Sequence, residues 1–251
     1  AYAQDTWQIR PRLLAIYGVR YDHFQGPNSN PNALYPNSRK FNIPKTNFAP
    51  RIGLTYRATE DTVLKASVGI FYQSTPTNLW FNALNQDGSN RTSVYSYAVS
   101  QTAGVGVPPA GAPAFPNIPS TIANYPPQDV TTISPTFKNE YTWNATLQIS
   151  QQLSRNDSFL IGYIMANGRN LQLQHNINLI NPIGTLADGR PVFGGCLASG
   201  TPQACSPLYR ADPRFNNVTQ VESGANSSFN ALAVNYTHTI SRGIQFNANY
   251  T

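Results

Sequence analysis

The side chains best suited to catalysis or metal binding are dispersed along the chain. Its three histidines, His23, His175 and His238, are far apart, and no HExxH or paired-histidine spacing occurs. Glu60 and Asp61 are adjacent in a predicted turn, where acidic side chains ordinarily bond to backbone and water. No GxSxG, GxGxxG or Walker-type loop is present. We therefore expect a protein that is not an enzyme, that needs no cofactor, and in which His175 is an ordinary polar residue rather than a metal ligand.

The two cysteines, Cys196 and Cys205, lie nine positions apart in the Gly/Pro/Ser-rich stretch GGCLASGTPQACSP. A zinc site requires further Cys or His nearby, and the nearest histidine is His175. The spacing predicts a local disulfide, which favours an oxidising compartment outside the cytoplasm. Two unpaired thiols are the alternative.

Two further groups of side chains are candidates for binding. Charged residues at polar strand positions could line a path for a polar or anionic substrate, or could pair with one another across neighbouring strands. This group is Arg20, Asp22, Arg57 and Lys65. Aromatic residues in predicted loops could stack on sugars or flat chelates, or could pack the loops onto themselves. This second group is Trp80, Phe81, Tyr95, Tyr97, Phe115 and Tyr125.

Strands must position these groups, because apolar and polar residues alternate with a period of two throughout the chain. The alternating runs form pairs joined by turns of about 3–5 residues, a usual hairpin length. The predicted strand pairs span about 1–24, 46–73, 137–166 and 229–251. The connections between pairs are much longer and rich in Pro and Gly, and they span 25–45, 74–135 and 167–228.

Connection lengths and composition indicate where these strands lie. Strictly alternating short and long connections are typical of outer-membrane barrels, which have short periplasmic turns and long extracellular loops. Charged residues make up 11% of the chain, against about 25% in soluble domains. The net charge is +6, but the basic residues are scattered rather than clustered, which argues against nucleic-acid binding. We predict an all-β fold of antiparallel up-and-down hairpins, about eight strands of a transmembrane β-barrel, with long Pro/Gly-rich loops.

Several segments resemble the barrel of TonB-dependent outer-membrane receptors, and specifically the Oar-like subgroup that carries an N-terminal carboxypeptidase-regulatory-like domain. The similar segments are DTWQIRPRLLAIYGVRYD (5–22), NFAPRIGLTYRATEDTVLKASVGIFYQ (47–73), GYIMANGRNLQLQHNINLINP (162–182) and ADPRFNNVTQVESGANSSFNALAVNYTHTISRGIQFNANYT (211–251). The resemblance implies a bacterial outer-membrane protein in contact with lipid, which imports a ligand of unknown identity too large for porins. It also implies contact with the TonB complex through a plug.

The chain departs from the family pattern in what it contains. Neither the plug nor the regulatory-like domain is visible, and family barrels have more strands than the eight predicted here. We therefore expect residues 1–251 to be a partial barrel from the interior of a longer receptor. Two alternatives remain open. One is a free-standing extracellular β-protein that self-associates through its terminal strand edges, even into filaments. The other is a secreted carbohydrate-binding β-sandwich, which would show the same periodicity.

Overall fold

A computed structural model describes residues 1–89, 100–102, 105–107, 127–193, 197–198, 201–202, 210–240 and 244–251. In chain order its elements are β1 (Tyr2–Arg10), β2 (Leu13–Tyr21), a 3-10 helix (Pro36–Arg39), β3 (Phe48–Arg57), β4 (Thr62–Tyr72), α1 (Thr77–Asn85), β5 (Ser100–Thr102), β6 (Val105–Val107), β7 (Gln128–Ile133), β8 (Tyr141–Gln152), β9 (Asp157–Arg169), β10 (Leu171–Asn176), β11 (Pro182–Thr185), β12 (Pro191–Phe193), β13 (Leu197–Ala198), β14 (Thr201–Pro202), β15 (Phe215–Ala225), β16 (Phe229–Ile240) and β17 (Ile244–Tyr250).

Eight of these strands form one sheet in the order β1-β2-β3-β4-β8-β9-β16-β17, and every neighbouring pair is antiparallel. The strands therefore alternate up and down, so the short turns β1–β2, β3–β4 and β8–β9 lie at one end of the sheet, together with the paired strand ends Ile240 and Ile244 of β16 and β17. The three long connections all lie at the other end. The predicted fold class is confirmed.

The register sorts the side chains of this sheet onto two chemically different faces. Across β2, β3, β4, β8 and β9, Ala15 pairs with Leu54, Leu54 with Ala66, Ala66 with Leu147, and Leu147 with Tyr163. Successive strand residues point to opposite sides, so one continuous apolar face results. The opposite face is mainly polar and small, and includes Gly53, Thr55, Lys65, Ser67, Asn144, Thr146, Gln148, Asn235 and Asn249.

The apolar face of the sheet is uncovered by protein. Leu147, Leu232 and Trp7 are 53%, 53% and 57% exposed. Among the described residues of the eight-stranded sheet, the only buried apolar side chains are Ala15 and Ala49. An apolar surface of this extent is too large for a monomer in water and marks contact with another apolar phase. Aromatic pairs lie near the long-connection end of this face, at Tyr21–Phe48 and Tyr72–Tyr141, as expected where lipid tails meet headgroups.

The long connections form a folded unit, which we call the loop domain: the described residues of 22–47, 73–140 and 170–228. A mixed sheet in the order β10-β15-β7 lies at its centre, and β15 and β7 are parallel. Around this sheet are two hydrophobic clusters. The first contains Phe41, Leu79, Ala83, Ile133, Phe137 and Val221, and the second contains Val130, Phe215 and Val218. Long Pro/Gly-rich loops were expected in these ranges, and their described residues contain the two hydrophobic clusters.

Helix α1 joins this core through residues spaced four apart. Leu79 and Ala83 are buried, and Trp80 and Leu84 pack against the first cluster from its edge. Pro76 precedes the first turn, where a missing N–H is harmless. Among the described residues, no helix is long and apolar enough to cross a membrane.

The two faces predict opposite responses to an inserted charge. Replacing Leu147 with Arg should lower the free energy of unfolding in lipid vesicles by about 2–4 kcal/mol, because the side chain would enter hydrocarbon. The matched control is Thr146→Arg, on the polar face beside Ser67, which should change it by less than about 1 kcal/mol. Urea titration of the full-length protein in vesicles measures both values. A greater loss for Thr146→Arg would show that the faces are assigned the wrong way round.

The core of the loop domain predicts a second difference, between two phenylalanines. Phe137 is fully buried, whereas Phe81 is 66% exposed. Phe137→Ala should destabilise the loop domain by about 3–5 kcal/mol through the cavity it leaves, and Phe81→Ala should leave stability nearly unchanged. Protease digestion of intact cells displaying the protein tests this, since only the Phe137 variant should be cut rapidly. Equal digestion of both variants would contradict a packed core around Phe137.

Candidate functional site

A hollow outside the membrane-facing sheet lies where β2 and β4 end and β8 begins. It has a volume of about 250 Å³. Its lining is His23, Phe24, Gln25, Gly26, Ile43, Pro44, Ser74, Thr75, Thr77, Trp80 and Asn139. Gly26 packs closely against Ile43, since a Cβ at residue 26 would lie 2.7 Å from Cδ1 of Ile43 and would displace that side chain. We call this hollow the inner rim groove.

A second, more open hollow of about 550 Å³ lies against the exposed side of α1, and we call it the outer rim groove. Its lining is Gln25, Pro27, Thr77, Asn78, Trp80, Phe81 and Leu84. Gln25, Thr77 and Trp80 line both grooves. The two hollows are therefore adjacent, and a single ligand could contact both.

Trp80 is held in place by the loop-domain core. Its ring centroid lies 5.6 Å from that of Phe41 and 6.1 Å from that of Phe137, at inclined angles that favour aromatic contact. Phe81, the next residue on the helix, is 66% exposed and faces the outer rim groove. The helix thus presents one fixed and one exposed aromatic ring to the grooves.

A chain of hydrogen bonds between buried amides joins the strand ends beneath the inner rim groove. Nδ2 of Asn47 donates to the carbonyl of Asp22 at 2.8 Å, and Nδ2 of Asn139 donates to Oδ1 of Asn47 at 3.0 Å. The hydroxyl of Thr75 donates to Oδ1 of Asn139 at 3.4 Å. Asn47 and Asn139 are 1% and 4% exposed. These three bonds therefore join four strand ends beside the groove, at Asp22, Asn47, Thr75 and Asn139.

The groove lining is electrically neutral apart from the titratable ring of His23. None of the described lining residues of either groove is Asp, Glu, Lys or Arg. Glu140 follows Asn139, and burial raises the pKa of its carboxyl, although a hydrogen bond from the backbone of Gln172 opposes the shift. Burial thus disfavours a charge on this one carboxyl, which does not line either groove.

The predicted lumen-lining charges separate into two places. Arg20 and Asp22 contact each other near the loop domain, with Nε of Arg20 2.9 Å from Oδ2 of Asp22. Arg57 and Lys65 lie on the polar face nearer the short turns, opposite Val63 and Thr55. Within the described chain, neither of them has an ion-pair partner. Whether the four side chains line a transport path stays a prediction.

Arg51 also lies on the polar face, and the sequence analysis missed it. It pairs with Gly18 on one side and Gly69 on the other, and it lines a hollow of about 390 Å³ together with Gly53 and Ser67. The alternation PRIGLTYR contained the signal, since Arg51 shares parity with Gly53, Thr55 and Arg57. The amides Asn47 and Asn139 had no such signal, because 92 residues separate them.

The other predicted site residues lie in several places. Nδ1 of His175 on β10 is 3.3 Å from Oε1 of Glu222 on β15. Nδ1 of His238 is 2.6 Å from Oδ1 of Asp157 near the short-turn end of the sheet. Among the described residues, no three His, Cys, Asp or Glu side chains are grouped to hold a metal. The remaining predicted residues lie outside the described ranges: Tyr95, Tyr97, Phe115, Tyr125, Cys196 and Cys205. The disulfide therefore stays a prediction.

Comparison with known families agrees with this geometry. The family described as "Outer membrane beta barrel domain" matches residues 1–251. The chain belongs to this family. It is accordingly a bacterial outer-membrane β-barrel protein, as predicted for its localisation. No curated protein sequence matches the chain.

Solved structures share the fold of this barrel domain. The siderophore receptor PirA from Acinetobacter baumannii is 12% identical, with a TM-score of 0.53 over 99% of this chain and 26% of its own. A variant of the ferric enterobactin receptor from Pseudomonas aeruginosa is 16% identical, with a TM-score of 0.53 over 99% of this chain and 25% of its own. The chain thus spans about a quarter of the length of these receptors.

The amide chain of the barrel domain predicts a specific loss of stability. Asn139→Ala leaves Asn47 and Thr75 without their partner in a buried place, which should cost about 1–3 kcal/mol. Asn78→Ala, at an exposed position on α1, is the matched control and should cost less than about 0.5 kcal/mol. Hydrogen exchange of peptides covering 22–47 and 73–89 would register faster opening only in the Asn139 variant. Unchanged exchange would mean that the amides do not hold the strand ends together.

Proposed function

We propose that this chain is an interior segment of a TonB-dependent receptor of the Oar-like subgroup, which imports a ligand too large for porins. The observation that carries this proposal is the two-faced sheet, whose apolar side faces lipid and whose polar side faces a lumen. In this arrangement the short turns are periplasmic and the loop domain is extracellular. The outer-membrane family match and the fold shared with siderophore receptors support the same assignment.

The remaining parts of the transport mechanism would be supplied outside this segment. Within the described residues, β1 and β17 each pair with a strand on one side only, so further barrel strands can join both edges. A plug would lie against the polar face. There Gly18, Gly53 and Gly69 carry no side chain beside Arg51. The TonB contact would be made through that plug.

Self-assembly through the same two edges is the second candidate function. It is favoured by one observation, the nine and seven residues of exposed edge strand in β1 and β17. Self-assembly through the edges would leave the apolar face of the sheet exposed to water, however. Because that exposure is unfavourable, self-assembly is the weaker candidate.

Deletion of the gene in the source bacterium tests the proposed function. Compounds that the parent strain depletes from the medium should remain when the gene is deleted, and should also remain when TonB is removed or the proton gradient is collapsed. Complementation with the intact gene should restore depletion, and complementation with the Leu147→Arg variant should not. Unchanged depletion together with extracellular filaments in electron micrographs would instead support self-assembly.

A further inference from the structure

We propose that the inner and outer rim grooves together form a binding site for a neutral saccharide. This inference rests on the proposed uptake function, since it names the class of ligand that the loop domain would capture. Its evidence, however, is the chemistry of the groove lining alone.

Charge decides against an anionic ligand. The described lining residues of both grooves contain no Lys or Arg, and His23 is the one lining side chain that could carry a positive charge. A carboxylate, phosphate or catecholate chelate would therefore lose its hydration for at most one cationic contact.

The polar groups of the grooves match hydroxyl groups rather than hydrocarbon. The inner groove is lined by three hydroxyl side chains, Ser74, Thr75 and Thr77, and the amide of Gln25 lies where the two grooves meet. Hydroxyls and amides both donate and accept hydrogen bonds, as sugar hydroxyls do. A fatty acyl chain would leave these groups unpaired, at a cost for each one buried.

The aromatic groups of the grooves match the apolar C–H face of a sugar ring. Phe81 is 66% exposed although it lies on the loop domain, away from the membrane-facing sheet. A large exposed aromatic beside a hollow is typical of a ligand contact. Trp80, fixed by Phe41 and Phe137, lines both grooves, and Pro27 and Leu84 add apolar surface to the outer one. The outer groove, at about 550 Å³, lies within the range of about 300–1,000 Å³ usual for small-molecule sites and suits a short oligosaccharide.

Binding to the full-length protein in detergent tests the inference. The probes are neutral di- and trisaccharides of glucose, galactose, mannose and xylose, an acidic oligosaccharide of uronic acids, and a ferric catecholate, each measured by calorimetry. We expect at least one neutral saccharide to bind and the two anionic probes not to bind. Phe81→Ala should weaken binding of that saccharide about tenfold through the lost ring contact, and Gln25→Ala should weaken it to a similar degree. Leu173→Ala is the matched control, since Leu173 is 44% exposed on the loop domain outside both grooves, and it should bind like the parent.

The outcomes separate this inference from the proposed function. Phe81-dependent binding of an anionic probe, or saccharide binding unaffected by both groove variants, would overturn the inference. So would failure of every neutral probe to bind. None of these results affects the proposed import, which is read separately from TonB-dependent depletion of the medium. Conversely, groove-dependent saccharide binding in a protein whose deletion leaves depletion unchanged would sustain the inference and overturn the proposed function.

Discussion

The constraint on which the whole structure depends is an apolar sheet face that no other part of the described chain covers. Leu54, Leu147 and Leu232 are each more than 40% exposed, and each would favour transfer out of water by about 1.5–3 kcal/mol. Only lipid can supply an apolar phase to a surface this broad while every interior backbone group stays paired with a neighbouring strand. The sheet therefore needs no core of its own. Its second face is free to be polar, which is the requirement for a wet or plugged lumen.

Because the membrane stabilises the sheet, the protein's own hydrophobic core lies elsewhere. Phe137, Ile133 and Val221 are at most 1% exposed and all belong to the loop domain. This division explains why long connections rich in Pro and Gly are nevertheless folded: they bury their aromatic and branched residues against one another in water. The hydrogen bonds of Asn47 and Asn139 then join the loop domain, which is stabilised by burying apolar side chains away from water, to the eight-stranded sheet, which is stabilised by lipid.

The sheet could be predicted from the sequence, but the loop domain could not, and the difference lies in the range of the contacts. Hairpins such as β3–β4 are local, and a period of two determines both their faces, so neighbouring residues such as Leu54 and Thr55 lie on opposite sides of the sheet. The loop-domain contacts join distant segments, such as the amide of Asn42 with the carbonyl of Phe137, 95 residues away. No local pattern encodes such a contact. The parallel pairing of β7 with β15 could not be predicted either, because a hairpin pattern predicts only antiparallel strands that are neighbours in the sequence.

The candidate site shows the same limit at the level of single residues. Trp80 and Phe81 were predicted as ligand contacts or as packing residues, and their positions on α1 explain why composition alone left both roles open. A helix turns by about 100° per residue, so two adjacent aromatic side chains leave the helix in different directions. Trp80 is directed toward Phe41 and Phe137, while Phe81 is left at the surface. The helix thus uses one ring to fix the groove wall and leaves the other for contact, a division of roles that depends on α1 being a helix in a region predicted to be loop.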